Sequence, residues 1–348
     1  VVAPRFKVGG GSCAFPGLTG PVQMAGEGST VVVEGVAVVQ TGSRRGIQPG
    51  VIDMWGPGAD YTPFSRTVNL VLDCQPPADM NDVEFDRATR LSALRVAEHV
   101  GGCVSGSEPD EVRVLELEDG PRDGELPRIV YIYHLQSQGI FRDTFVYGEN
   151  VRALLPTLLH PQEVLDGAIV SGNYVIACQK NPTYLHQNNP VVLELAARHG
   201  RNLRFVGVII ANEHSTLREK ERSARFAAKL ARQLRADGAV ITQEGGGHAD
   251  TDLMLTCREC ERLGIRTVLL ANELAGKEGD LPSLVDAVPE ADAVVSTGNN
   301  DEVVTLPAPD RVVGARTEDY GGSLTLALSR LYTATNQLGV SRLTAREF

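Results

Sequence analysis

From residue 188 onward, continuous apolar runs alternate with amphipathic stretches at helical spacing, and this rhythm fixes the fold class. NNPVVLELAARHG (188–200) carries an Asn at the cap position, a Pro at the helix start and a Gly at its end. LRFVGVIIA (203–211) is an unbroken apolar run, the mark of a strand buried on both faces. A long amphipathic helix (216–238) follows, then a strand at AVITQ (239–243) and a helix at DTDLMLTCRECERLG (250–264). Strands at IRTVLLAN (265–272) and ADAVVST (291–297) complete the set. Such alternation requires a mainly parallel sheet with helices on both faces, an open α/β (Rossmann-like) domain.

The first half reads differently, as strand-rich and mixed. STVVVEGVAVVQTG (29–42) and RTVNLVLDCQ (66–75) are β-branched runs bounded by Gly or Pro. DVEFDRATRLSALRVAEHVGG (82–102) is an amphipathic helix that Gly101 is expected to end. Further strands are expected at EVRVLELE (111–118) and PRIVYIYHLQ (127–136), with the stretch between them a surface loop. The expected division is an α+β domain over 1–165 and the open α/β domain over 166–348.

A net charge of −11 argues against nucleic acid, because phosphate binding needs a basic surface. No stretch approaches the roughly 20 apolar residues of a membrane span, and the N-terminus lacks a signal pattern. The sequence opens on Val1 rather than Met, so a longer gene product is expected. Six cysteines in 348 residues do not make a disulfide scaffold, and reduced thiols in a cytoplasm are the simpler expectation. Cys257 and Cys260 form a C-x-x-C inside a helix without a second pair for zinc, which points to core thiols.

In open α/β sheets, ligands gather beyond the carboxyl ends of the strands. Three polar loops fall there: ANEHST (211–216), QEGGGHADTD (243–252) and STGNND (296–301). They nominate Glu213, Gly246, His248, Asp250, Asp252 and Asn299 for substrate or partner binding. Gly245 to Gly247 allow close approach of backbone N–H groups, but the spacing is neither a dinucleotide nor a P-loop pattern. A carboxylate ligand, a subunit contact and a plain Asp-capped turn all remain open. His248, Asp250 and Asp252 could suit a divalent ion, but capping accounts for at least one Asp, so neither metal nor nucleotide is expected. VIDMWGPGADYTPFS (51–65) holds the only Trp and reads as a turn anchored by that aromatic, or as a loop beside a substrate.

SGNYVIACQKNPTYLHQNNP (171–190) sets Cys178 between an apolar run and an asparagine-rich tail. Three readings of Cys178 stand side by side. It is a small core hydrophobe; or a hydrolytic nucleophile with His186 as base and Asn188 or Asn189 as orienting amide; or a residue the chain uses on itself. In the last case its sulfur attacks the Ala177 carbonyl to give a thioester. Elimination and hydrolysis then cleave the chain and leave a pyruvoyl group, with Asn173, Lys180 and Asn181 polarising the carbonyl or relaying protons. Chemistry alone ranks these in the order given.

A resemblance reverses that order. DGAIVSGNYVIACQKNPTYLHQNNPVV, VGVIIANE, KERS, ADGAVITQEG, DTDLMLTC, DAVVSTGN and VIDMWGPGADYTPFS resemble the proprotein subunits of glycine, sarcosine and betaine reductase component B, with the D-proline reductase proprotein as a further relation. The resemblance spans nearly the whole chain in motif order. It implies scission at Ala177–Cys178 within an AC-x-KN stretch completed by Lys180 and Asn181. It further implies a pyruvoyl cofactor that forms a Schiff base with the amine of a small amino acid, and a partner subunit whose selenocysteine or cysteine displaces the nitrogen reductively. The subunit is expected to be cytoplasmic and homo-oligomeric. Gln179 stands where the family pattern has Asp, and His248 where it has Asn. A carboxylate missing beside the scission point keeps a second expectation in view: an unprocessed paralogue serving as a scaffold for the thiol- or selenol-bearing partner.

Overall fold

The computed structural model describes residues 1–11, 13–42, 50–75, 77–117, 126–137, 144–172, 178–314 and 317–345. Sixteen strands and six α-helices are assigned among them. The strands are β1 (Arg5–Gly9), β2 (Ser29–Val32), β3 (Val36–Gly42), β4 (Val68–Cys74), β5 (Arg128–Leu135), β6 (Thr144–Val146), β7 (Glu149–Asn150) and β8 (Thr157–Leu159). Then come β9 (Ile169–Ser171), β10 (Arg204–Asn212), β11 (Gly238–Thr242), β12 (Arg266–Glu273), β13 (Val294–Asn299), β14 (Val303–Leu306), β15 (Leu324–Ala327) and β16 (Thr344–Ala345). The helices are α1 (Asp82–Cys103), α2 (Pro161–Leu165), α3 (Thr183–Gln187), α4 (Pro190–Arg198), α5 (Leu217–Gln233) and α6 (His248–Arg262).

The organising element is a seven-stranded sheet in the order β16-β13-β12-β11-β5-β10-β8. Its five inner strands are parallel, and β16 and β8 close the edges antiparallel. Counted along the chain, the parallel set runs 2-1-3-4-5 from the β10 side, a doubly wound order whose switch point lies between β5 and β11. The mainly parallel α/β class read from the alternation is therefore the observed one. The sheet draws β5 and β8 from before residue 165 and its other strands from after it, so the division expected at 165 does not separate two sheets. The sequence shows which runs are strands but not which are neighbours.

Each face of the sheet carries its own core. Val130, Ile132, Ile209 and Ile241 pack against Ala227, Ala228 and Ala231 of α5 and Leu253, Cys257 and Cys260 of α6. The small alanines bring α5 close to the strands, and the two cysteines are fully buried hydrophobes, as expected. On the opposite face Tyr131, Tyr133, Val208 and Ile210 meet Leu185 of α3 and Val192 and Leu195 of α4. Each such aliphatic side chain contributes about 1.5–3 kcal/mol by leaving water.

The amino-terminal region packs on this body. Asn81 caps α1, accepting from Val83 and Glu84 backbone N–H groups while Glu84 returns a carboxylate to Asn81 N–H. Gly101 does not end α1 but lies inside it. A Cβ there would come within 2.6 Å of the Arg5 backbone, so glycine lets α1 press onto β1. Buried Arg5 donates to the carbonyls of Leu165 and Gln187, tying β1 to α2 and α3. Residues 111–117 are not a strand. Val112 and Val114 face solvent while Leu115 and Leu117 lean on the core, because alternation without a neighbouring edge supplies no ladder partner. The loop expected over 120–127 lies largely outside the described residues. No helix among the described residues is long and apolar enough to cross a membrane.

Candidate functional site

The segment that carries Cys178 is held at the switch point of the sheet. β9 delivers the chain to Gly172, and the chain is described again from Cys178. Asn173 and Ala177, two of the expected site residues, lie outside the described residues. The two ends of the segment are clasped together: Ser171 Oγ donates to the Asn181 carbonyl, and Ser171 N–H donates to Thr183 Oγ1 at 3.1 Å.

From Asn181 the hydrogen bonds can be followed as a closed ring. Asn181 Nδ2 donates to Tyr133 Oη at 2.7 Å, and Tyr133 lies 2.8 Å from His186 Nδ1. His186 Nε2 lies 3.1 Å from Ser171 Oγ, which donates back to Asn181. Only one tautomer satisfies every member: Tyr133 donates to Nδ1, and Nε2–H donates to Ser171. Burial and the nearby Lys180 charge push His186 down to about 3, so the ring stays neutral. His186 thus orders the segment through Tyr133 and Ser171. Both its nitrogens are engaged away from Cys178, which removes the base that a Cys–His hydrolase needs.

Beneath the segment lies Glu244, just past the end of β11. Its carboxylate accepts the Gln136 N–H at 2.7 Å and the Asn181 N–H at 2.8 Å. Gly245 N–H donates to the Gln179 carbonyl at 3.2 Å. The glycine loop therefore grips 179–181 by its backbone. Gly246 completes the fit, since a Cβ there would meet Leu274 at 3.2 Å and the Gln179 amide at 3.3 Å. Burial raises Glu244 to about 7, against the opposing pull of Lys180 and the two N–H donors. Lys180 is fully buried.

Cys178 itself is fully buried, and burial pushes its thiol up to about 12. A hydrogen bond with Thr335 opposes that rise, while Asp301 adds to it. Thr335 belongs to the buried polar run Thr333–Gln337. Asn336 Nδ2 donates to Asn181 Oδ1, and Gln337 Nε2 donates to the Gly245 carbonyl and, at 2.9 Å, to Asn272 Oδ1. Thr333 holds φ +68, a left-handed conformation that is strained for a β-branched residue and costs about 1–3 kcal/mol.

The other expected residues divide into two groups. Glu213 Oε1 accepts Glu244 N–H at 3.0 Å, and burial beside Asp252 and Glu244 holds its carboxyl well above the usual range. Asp252 pairs with Lys220, which also donates to the His248 carbonyl at 2.9 Å. These lie under the site. Asp250 instead folds back to cap α6, accepting from Gly247 N–H at 3.2 Å and Gln243 Nε2 at 2.7 Å. Its carboxylate is consumed locally. The Asn299 side chain serves the 273–276 and 299–301 turns, donating to the Gly276 carbonyl and accepting from Ala275 and Asp301. His248 is the exposed first residue of α6. Trp55 is 93% exposed, so the 51–65 turn is not anchored by it; Asp53 holds that turn by accepting the N–H groups of Trp55, Gly56 and Gly58.

Sequence reasoning missed Tyr133, Ser171, Glu244, Thr335, Asn336 and Gln337. One signal was available for the last three: TATNQ (333–337) is a polar run without Gly or Pro, set between Leu331 and Leu338. Polar residues so framed are buried with partners or not at all.

Comparison with known proteins places this geometry in context. The family described as glycine/sarcosine/betaine reductase component B subunits matches residues 1–346. The chain is 42% identical to the glycine reductase complex component B subunits alpha and beta of Acetoanaerobium sticklandii, covering 100% of this chain and 85% of that protein. It is 40% identical to the sarcosine reductase complex component B subunit alpha of Peptoclostridium acidaminophilum, over 99% of this chain and 85% of that one. A D-proline reductase proprotein of A. sticklandii is 23% identical over 70% of this chain and 41% of its own length. No solved structure matches.

Proposed function

Because the chain belongs to the family of glycine/sarcosine/betaine reductase component B subunits, we propose that it is an amino-acid reductase subunit that cleaves itself between Ala177 and Cys178. Cys178 Sγ attacks the Ala177 carbonyl carbon, and the acyl group moves from nitrogen to sulfur. Elimination across the Cα–Cβ bond releases residues 1–177 as a thioacid, and hydrolysis with loss of ammonia leaves a pyruvoyl group on residue 178. The observation that carries this reading is the clasp between the described ends of the segment: Ser171 Oγ donates to the Asn181 carbonyl, and Glu244, Gly245 and Asn336 hold residues 179–181. Self-scission needs a reacting thiol and carbonyl held together, which is worth more than a lowered thiol pKa.

The residues present fit the group. Two residues on from position 178 Lys180 is fully buried, and Glu244, which accepts the Asn181 N–H, is a buried carboxyl poised near neutrality to take or return a proton. Thr335 offers a hydroxyl at position 178 itself. The group supplies an electrophilic ketone that condenses with a primary or secondary substrate amine. The chain contains no selenocysteine, so a partner subunit bearing a selenol or thiol supplies the reductive displacement.

The competing reading is an unprocessed scaffold subunit. It draws on Gln179 and on the raised Cys178 thiol. A hydrazide probe separates the two: the first reading expects one label per chain, confined to the fragment that begins at residue 178. Absence of label on protein that binds its partner would establish the scaffold.

A further inference from the structure

A cleft of about 1410 Å³ is lined by β3, β4, α1 and the stretch 306–314. Its inner wall includes Ser171, Gly172, Pro182 and Thr183, the residues that flank the segment. Three arginines among the described residues line it. Arg66 and Arg311 are exposed, whereas Arg90 is buried, 8% exposed.

Arg90 is placed with care. Its Nη1 lies 2.7 Å from Asp86 Oδ2, one turn earlier on α1, and its guanidinium carbon sits 4.5 Å from the Phe145 ring centre. Phe145 on β6 pairs in register with Val170, and the next pair is Thr144 with Ser171. The guanidinium therefore lies beside the strand that delivers the chain to the scission segment. Its Nε is buried and has no hydrogen-bond partner among the described residues. A charged donor left so is unfavourable, and an acceptor is called for.

We infer that Arg90 is the anchor for the carboxylate of a small amino-acid substrate, binding it in the cleft beside Ser171 and Gly172. This rests on the reading above in one respect, that the substrate is an amino acid. A guanidinium presents two parallel N–H donors matched to a two-oxygen anion, and a desolvated site strengthens them. Glycine, sarcosine and betaine, named for the relatives, differ only in methyl groups on nitrogen, so the carboxylate is the handle common to all three. Asp86 holds one edge of the guanidinium and orients the rest. The assignment moves carboxylate recognition from the polar loops of the sheet, where Asp250 and Asn299 are already committed, to α1.

Binding of glycine and of glycinamide to the Cys178→Ala chain, measured by ligand-observed NMR, tests this without any ketone. The Cys178→Ala protein is expected to favour glycine over glycinamide by at least about tenfold, the discrimination of a charge-assisted pair. Single Arg90→Gln also removes the ion pair with Asp86, so the decisive variant is Asp86→Asn with Arg90→Gln, checked for an unchanged melting temperature. It is expected to lose that preference while glycinamide binding stays as before. Equal binding of the two ligands by the Cys178→Ala parent, or an undiminished glycine preference in the double variant, overturns the assignment. Whether the wild-type chain is cleaved is read separately by mass, so failure of maturation and failure of Arg90 are distinguishable.

Discussion

Replacing Cys178 with Ala is expected to leave residues 1–348 as one covalent chain and to abolish labelling by carbonyl reagents altogether. The alanine side chain offers no atom that can take the Ala177 acyl group and then depart from the β-carbon. The fold should survive, because the side chain is a small buried one whose loss removes a single sulfur, costing about 1–2 kcal/mol. Cys178→Ser makes the informative contrast. A hydroxyl is a weaker nucleophile and an ester a slower leaving group, so cleavage should persist at a rate lower by orders of magnitude. With the thiol raised to about 12, processing of the wild-type chain should quicken as pH rises from 7 to 9, approaching tenfold per unit while thiolate formation limits it. Intact mass against time gives all three results. Cleavage of the alanine variant would show that another residue performs the scission.

Acid should unfold this protein steeply. His134 and His186 are fully buried, and burial lowers each to about 3 from an ordinary 6.5. A depressed histidine favours the folded state above its unfolded value, and the benefit is lost as pH falls from 6.5 toward 3. Glu244 and Asp252, each raised to about 7 by burial, and Glu213, held well above its ordinary value, act with opposite sign: they favour the folded state when protonated and lose that contribution as pH rises. Between pH 4.5 and 6.5 the histidine protons of the unfolded state are offset by the folded-state protons of Glu244, Asp252 and Glu213, so stability does not rise with pH. Below about 4 the histidines dominate, and stability should fall by up to about 2.7 kcal/mol per pH unit, two protons at about 1.4 each. Denaturant titrations at pH 3.5, 4.5, 5.5 and 6.5 measure the two regimes. A stability that rises steadily from pH 4.5 to 6.5 would show that the carboxyls are ionised in the fold.

How much was legible follows from which interactions are local. The strands and helices after residue 188 were visible because each writes its own periodicity, and the Asn189 and Pro190 pair marks the start of α4 directly. Cys178, Lys180 and Asn181 could be nominated because their chemistry is carried by adjacent residues. Glu244 could not: its importance lies in accepting two N–H groups from segments 108 and 63 residues away. Tyr133 reads as one more aromatic in a strand until β5 is known to lie beside β10. Gly101 reads as a helix end until β1 is found against it. Asp250 was over-read for the opposite reason, since its type and position fit a binding loop equally well as the helix cap it forms.

The measurement that bears most directly on the account is the intact mass of the purified wild-type protein under denaturing conditions. Self-processing predicts two species, residues 1–177 and residues 178–348, the second resistant to amino-terminal sequencing and shifted in mass by one hydrazide after treatment with that reagent. A single full-length species, with Cys178 open to alkylation once unfolded and no hydrazide uptake, would contradict self-processing.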